Sequence, residues 1–197
     1  MQLLEDRIRR EGRLLPGGVV KVDGFLNHRA DTALLRALAD EFARRLDVSS
    51  ATLVLTAEAS GIALAAVCAA SWGLPLLFAK KAKSANLGGG VYRGEAFSYT
   101  YQKPVTYVVS REWLSAADRV LIIDDFMASG SAMDALLALV RAAGAALAGV
   151  GVAVEKGFQG GGDRLRAAGL PYTALAVIDA VEDGRFTFRT QPRGDSL

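Results

Sequence analysis

The amino-acid sequence predicts an α/β fold, a mainly parallel sheet with helices on both faces. Two patterns carry that expectation. From residue 31 onward, short runs of branched apolar residues alternate with segments whose apolar residues recur at helical spacing, the pattern of βαβ units. One run, Val120–Ile123, is apolar at every position, as suits a strand buried on both faces of a parallel sheet. At 197 residues, 51% hydrophobic and 22% charged, the chain is long enough for one domain with a full core and too apolar to be disordered.

The elements follow in order. Leu3, Leu4 and Ile8, set among Glu and Arg, predict a short first helix ending near Gly12. Pro16-Gly17-Gly18 is a turn leading into a strand over Val19–Val22. Asp31 is the N-cap of a helix running to about Leu46, with Leu34, Leu38 and Phe42 on its inner side. Strand 52–56, helix 61–72 and strand 75–78 come next. After an irregular stretch, strands are expected at 94–101, 105–109 and 120–123, then helix 131–143, strand 147–155, helix 162–168 and strand 172–178. Glu182-Asp183-Gly184 marks a closing hairpin into Phe186–Phe188. The whole chain, 1–197, reads as a single domain. Residues 1–30 and about 179–197 fall outside the alternation and are expected to form a hood beside the sheet.

Composition excludes several classes of function. A formal net charge of +2 gives no general attraction to nucleic acid or membrane. Residues 1–11 are amphipathic and lack the apolar core of a signal peptide, and no apolar run reaches the roughly 20 residues that span a bilayer. A single cysteine, Cys68, excludes an internal disulfide and offers no metal cluster, and its apolar surroundings mark it as a buried, inert thiol. The expected location is the cytoplasm.

The chemistry concentrates at residues 119–132. Asp124 and Asp125 stand at the carboxyl end of the apolar run, where parallel sheets gather their ligands. A small-residue turn follows, Ala128-Ser129-Gly130-Ser131-Ala132, and leads into the helix carrying Met133, Leu136, Leu137 and Val140. Small residues let backbone N–H groups close around an anion, and the helix N-terminus adds partial positive charge. The carboxylates beside the turn suit sugar hydroxyls or Mg²⁺. Together they suggest a ribose phosphate. Neither G-x-x-x-x-G-K-[ST] nor G-x-G-x-x-G is present.

Other candidates keep two readings each. Glu58-Ala59-Ser60-Gly61 joins a strand to a helix and either receives a diphosphate on its N–H groups or is a plain turn capped by Ser60. Residues 80–93, with Lys80, Lys81, Lys83 and Gly88-Gly89-Gly90, form a basic glycine-rich loop, either a lid over a polyanion or a solvated surface. Lys156 at a strand end either donates to an exocyclic oxygen of a base or is solvated. Asn27 offers donor and acceptor to a heterocycle edge, or simply fills a turn. Phe158 either stacks on a base or is core, and His28, the only histidine, reads as structural.

With these residues assembled, the chain resembles the type I phosphoribosyltransferases along nearly its whole length. Leu121-Ile122-Ile123-Asp124-Asp125-Phe126 carries the class resemblance, whereas Phe25-Leu26-Asn27-His28 and Glu155-Lys156-x-Phe158-Gln159 resemble the purine-salvage branch that uses xanthine. The resemblance implies the type I phosphoribosyltransferase fold, and transfer of phosphoribosyl from 5-phospho-α-D-ribose 1-diphosphate (PRPP) to N9 of xanthine. It implies that Val20 and Asn27 contact the base from the hood and that Lys156 meets its 6-oxo side. Ala128 to Ala132 would hold the 5-phosphate, and Asp124 and Asp125 would face the ribose. Ser60 and Gly61 would serve the diphosphate, with Lys81 and Lys83 in the lid. Substrate-borne Mg²⁺ and a homodimer are also implied, with no nucleic-acid or membrane partner. Ala59 departs from the serine expected there, and Gly88-Gly89-Gly90 makes the loop richer in glycine than relatives. A hypoxanthine/guanine enzyme remains the same-class alternative, and a non-catalytic PRPP sensor the different-class one.

Overall fold

A computed structural model describes residues 1–15, 19–82, 90–98, 103–182 and 184–190. Helix α1 (Gln2–Glu11) precedes two short strands, β1 (Arg13–Leu15) and β2 (Val19–Lys21), which pair antiparallel as a small separate sheet. Helix α2 (Thr32–Arg45) starts as expected, with the Asp31 carboxylate accepting the Leu34 N–H at 3.1 Å. There follow β3 (Leu53–Ala57), α3 (Ile62–Trp72), β4 (Leu76–Lys81), β5 (Val91–Ser98), β6 (Lys103–Ser110), β7 (Arg119–Met127) and α4 (Ser131–Ala142). Then come β8 (Ala146–Lys156), a 3₁₀ turn at Gly157–Gln159, α5 (Gly161–Ala167), β9 (Tyr172–Glu182) and β10 (Arg185–Phe188).

These strands build one eight-stranded sheet in the order β10-β9-β8-β7-β3-β4-β6-β5. Its middle, from β9 to β4, is parallel, and antiparallel strands close both edges. The apolar run in β7 serves two cores at once. Leu121 and Ile123 join Phe25, Leu35, Phe42 and Leu64 in a core built with α1, α2 and α3. Val120 and Ile122 join Leu136, Leu139, Val140 and Leu165 in the core under α4 and α5. A period of two along the strand makes a run with no polar break the sequence of a doubly covered strand.

Several boundaries differ from the sequence reading, each for a pairing reason. Strand β7 runs on through the acidic pair to Met127, because β8 offers it a ladder as far as the Met127–Glu155 pairing. Lys80 and Lys81 belong to β4 and not to the basic loop, since backbone pairing with Val108 and Tyr107 of β6 holds them in the sheet whatever their side chains. Lys83 and the Gly88-Gly89 part of the loop lie outside the described residues, as do the Pro16-Gly17-Gly18 turn, Asp183 and residues 99–102 and 191–197. Strand β1 went unread because a pair of leucines is too short a pattern. The closing hairpin adds β10 to the edge of the main sheet through β9.

One contact outside the parallel core matters for the site. A Cβ on Gly94 of β5 would stand 2.2 Å from the Ala135 carbonyl of α4, so the strand lies directly against that helix. The Phe97 N–H donates to the Ser131 hydroxyl at 2.6 Å, tying β5 to the first residue of α4. No helix among the described residues is long and apolar enough to cross a membrane.

Candidate active site

Buried polar side chains among the described residues are Thr56, Asp124, Asp125 and Glu155, and the first three meet at the carboxyl ends of β3 and β7. Asp124 and Asp125 are 6% and 4% exposed, far less than free carboxylates tolerate without partners. Asp125 is a hub. Its Oδ1 accepts from the Ser60 hydroxyl at 3.1 Å and its Oδ2 from the Asn27 amide at 2.5 Å. Ser60 therefore does not cap α3, whose N-cap is Gly61 with no side-chain hydrogen bond. Three residues far apart in sequence, two of them with bland readings available, are thus joined at one carboxylate.

Asp124 accepts the Asp125 N–H on its Oδ1 at 3.0 Å. A Cβ on Gly61 would fall 2.3 Å from both that Oδ1 and the Thr56 hydroxyl, so position 61 has no room for a side chain. The Thr56 hydroxyl is buried with no hydrogen-bond partner among the described residues. Burial, with the Asp125 carboxylate beside it, holds the Asp124 carboxyl well above the ordinary carboxylate range. The folded state therefore binds this proton more tightly than the unfolded chain. Its stabilising effect is complete below the ordinary aspartate value of 3.8 and is lost as pH rises through the folded pKa. Replacing Asp124 with Asn keeps the acceptor and removes the buried charge. In urea melts, D124N is expected to exceed the parent in stability by about 1–3 kcal/mol at neutral pH, with the difference closing in acid. Lower stability of the variant at neutral pH would contradict this account of the burial.

The anion turn is held from behind. Ala128 O accepts the Gly161 N–H at 3.2 Å, Ser129 O accepts Arg164 Nη2 at 3.0 Å, and Gly130 O accepts the Asp134 N–H at 2.8 Å. Arg164 also pairs with Asp134 in the first turn of α4. Gly130 takes a φ of 91° as it enters the helix, a conformation that suits glycine. Three successive carbonyls of the turn are thus drawn to protein donors at the start of α4.

Lys156 ends β8, the strand beside β7. Its ammonium lies 5.6 Å from the centre of the Phe126 ring, next to the acidic pair in β7, and burial pushes its pKa down. The residues on either side of it are anchored. Glu155 is fully buried and bound by Arg166 at 3.0 and 2.5 Å and by the Tyr172 hydroxyl at 2.9 Å. Gly157 lies against Asp179 and Arg189, and Arg189 bridges Asp179 and Asp163. Phe158, 46% exposed, is not core. Val20 is buried with Val22, Phe25 and Leu26 in the core on the α2 side. Lys81 reaches the turn after β3 through its backbone, whose N–H donates to the Glu58 carboxylate at 2.6 Å. His28 is exposed, and burial raises the Cys68 thiol far above its usual range.

Sequence reasoning missed Arg164, Arg166, Arg189 and Thr56. The three arginines look like ordinary surface charges, and the partners that matter here, Asp134 for Arg164, Glu155 for Arg166 and Asp179 for Arg189, lie 10 to 30 residues away along the chain. No group of three or more His, Cys, Asp or Glu among the described residues forms a metal cage. Two adjacent carboxylates and one hydroxyl fit a Mg²⁺ that keeps waters and substrate oxygens as its other ligands.

A buried acidic pair near the carboxyl end of β7, followed by a glycine-bearing turn into α4, is the arrangement expected of an enzyme that transfers phosphoribosyl groups. The phosphoribosyl transferase domain family matches residues 22–165, and the chain belongs to that family. A xanthine phosphoribosyltransferase of Lachnoclostridium phytofermentans is 44% identical over 96% of this chain and 98% of its own length. Another, from Lactobacillus delbrueckii subsp. bulgaricus, is 48% identical over 95% of this chain and the whole of its own. The fold is also that of the adenine phosphoribosyltransferase of Giardia lamblia solved with 9-deazaadenine, at a TM-score of 0.73 and 23% identity, covering 88% of this chain and 96% of that one.

Proposed function

We infer that the protein transfers the 5-phosphoribosyl group of PRPP to N9 of xanthine, giving xanthosine 5′-monophosphate and diphosphate. The observation that carries this reading is identity of 44–48% along nearly the full chain to xanthine phosphoribosyltransferases. The site's chemistry supports an oxo-purine. With its amide N–H₂ committed to Asp125, Asn27 has its carbonyl to offer as an acceptor for a ring N–H. Lys156 supplies a cationic donor for a base carbonyl and makes a poor partner for the amine of adenine, since both are donors.

Loss of diphosphate from C1 leaves a ribosyl cation, so the protein's task is positioning and charge stabilisation. The carboxylates of Asp124 and Asp125 are the groups to face that cation and the sugar hydroxyls. Backbone N–H groups of Ser129 to Ala132 would anchor the 5-phosphate, and the Ser60-Gly61 turn the diphosphate. Lys81 and Lys83 would shield the leaving group. Mg²⁺ carried by PRPP would offset the diphosphate charge, with the Asp124–Asp125 pair reaching it directly or through water. We further propose that Val20 touches the base from a hood formed by residues 1–30 and about 179–197, and that the enzyme is a cytoplasmic homodimer. Composition and family resemblance support the last two.

Arg164 tests the anion turn. In R164M the Ser129 carbonyl loses its anchor, and the KM for PRPP is expected to rise about fivefold, roughly 1 kcal/mol. Turnover at saturation should stay close to the parent value. A fall in kcat with unchanged KM would contradict this role. The function itself is tested by following diphosphate release with xanthine, guanine, hypoxanthine and adenine in the presence of PRPP and Mg²⁺. Release with xanthine well above the others supports the proposal. Equal release with guanine or hypoxanthine favours the broader enzyme, and silence with all four beside tight PRPP binding favours a sensor.

A further inference from the structure

A second concave site lies away from the acidic pair, between the end of α1 and the turn that follows β2. It is a cavity of about 430 Å³ whose charged lining is Arg10, Arg13, Lys21 and Arg29 against Glu11 and Asp23. Both carboxylates are already engaged. Glu11 pairs with Arg7 at 2.8 Å and Arg10 at 3.1 Å, and Asp23 pairs with Lys21 at 3.2 Å. Arg13 and Arg29 have no carboxylate partner among the described residues. Two uncommitted guanidiniums at one cavity form the arrangement that binds phosphoryl oxygens with paired, charge-assisted hydrogen bonds. Phe25, the aromatic residue in the wall, is 1% exposed, so the cavity offers no stacking face and selects for charge.

The cavity wall is also the back of the turn that carries Asn27. That turn is closed on itself. Val22 O accepts from Phe25 and Leu26, while Asp23 O accepts from His28 and Arg29 at 3.3 and 2.8 Å. Arg29 and Asn27 therefore belong to one hydrogen-bonded turn, and Asn27 is bound to Asp125.

We propose that this cavity is an accessory anion site for a ligand bearing an oligophosphate group, and that its occupancy alters base binding through Asn27. The first half stands on the cavity alone, and the second rests on the base-binding role assigned to Asn27.

Tripolyphosphate is the probe. Calorimetric titration of the parent and of the double variant R13Q/R29Q counts sites per chain in each. The expected result is one site fewer in the double variant, or a loss of affinity there of about tenfold or more. In parallel, the KM for xanthine at saturating PRPP should shift on adding tripolyphosphate to the parent and not to the double variant. The variant's KM without the probe should match the parent's. Equal stoichiometry and affinity in the two proteins would overturn the accessory site. Loss of a site with no KM shift in the parent would overturn the coupling. Should the diphosphate turn at Ser60-Gly61 bind no anion, the parent would show one site and the variant none, so failure of the active-site reading is distinguishable from failure of this one.

Discussion

Asp125→Asn lowers turnover by about a thousandfold while leaving the fold in place. The size follows from the role proposed for what is removed, a preorganised charge facing a developing cation, a kind of group whose loss costs about 10²–10³ in kcat. The preserved fold follows from the partners. Asn retains one oxygen to accept the Ser60 hydroxyl, and rotation of the Asn27 amide turns a donor–donor clash into a donor–acceptor pair. Diphosphate release under saturating substrates, measured beside the thermal midpoint, checks both halves. Turnover equal to the parent's would remove Asp125 from the chemistry, and with it the main role assigned to the site.

The largest stability effect is expected at Arg166. Glu155 is fully buried, and among the described residues its oxygens are met by hydrogen bonds only from Arg166 and the Tyr172 hydroxyl. R166M leaves a buried carboxylate with one neutral donor, a change that costs about 3–5 kcal/mol when a buried pair is broken. Adding E155Q to R166M removes the orphaned charge, so the double variant should recover a large part of the loss. Urea denaturation of the three proteins gives the comparison directly. A loss under about 1 kcal/mol in R166M, or no recovery in the double variant, would mean that the pair behaves as a surface ion pair. Lys156 follows Glu155 in the chain, so R166M should also raise the KM for the base.

Much of this architecture was legible because its signals are contiguous. The run Val120–Ile123 announces a strand covered on both sides, and the residues after it spell out the anion turn without a break. Asp31 likewise marks its own helix start. Legibility failed where structure comes from a partner rather than from the segment itself. Lys80 and Lys81 carry loop-like side chains, yet strand β6 supplies the ladder that orders them. Asp124 and Asp125 look like a strand terminus, and only the pairing with β8 shows that the strand continues through them. That Ser60 binds Asp125 instead of capping α3 depends on a residue 65 positions away. In α5, Arg164 braces the Ser129 carbonyl and Arg166 neutralises Glu155, pairings that no local sequence pattern marks.

The contact between Gly94 and the Ala135 carbonyl has a consequence for how the molecule breathes. Strand β5 is the last strand of the sheet and has a hydrogen-bonded neighbour on one side only. Such rims ordinarily fray and exchange their amide protons quickly. Here the rim is pressed onto α4 and pinned at Phe97 to Ser131. Its amides from Gly94 to Phe97 should therefore exchange with deuterium at rates close to those of α4 rather than those of β10 at the opposite rim. Opening β5 then means loosening the helix start where the sugar phosphate is proposed to bind, so on that reading the rim's exchange rate becomes a gauge of the grip. Widening position 94 to Ala should speed exchange in strand and helix together.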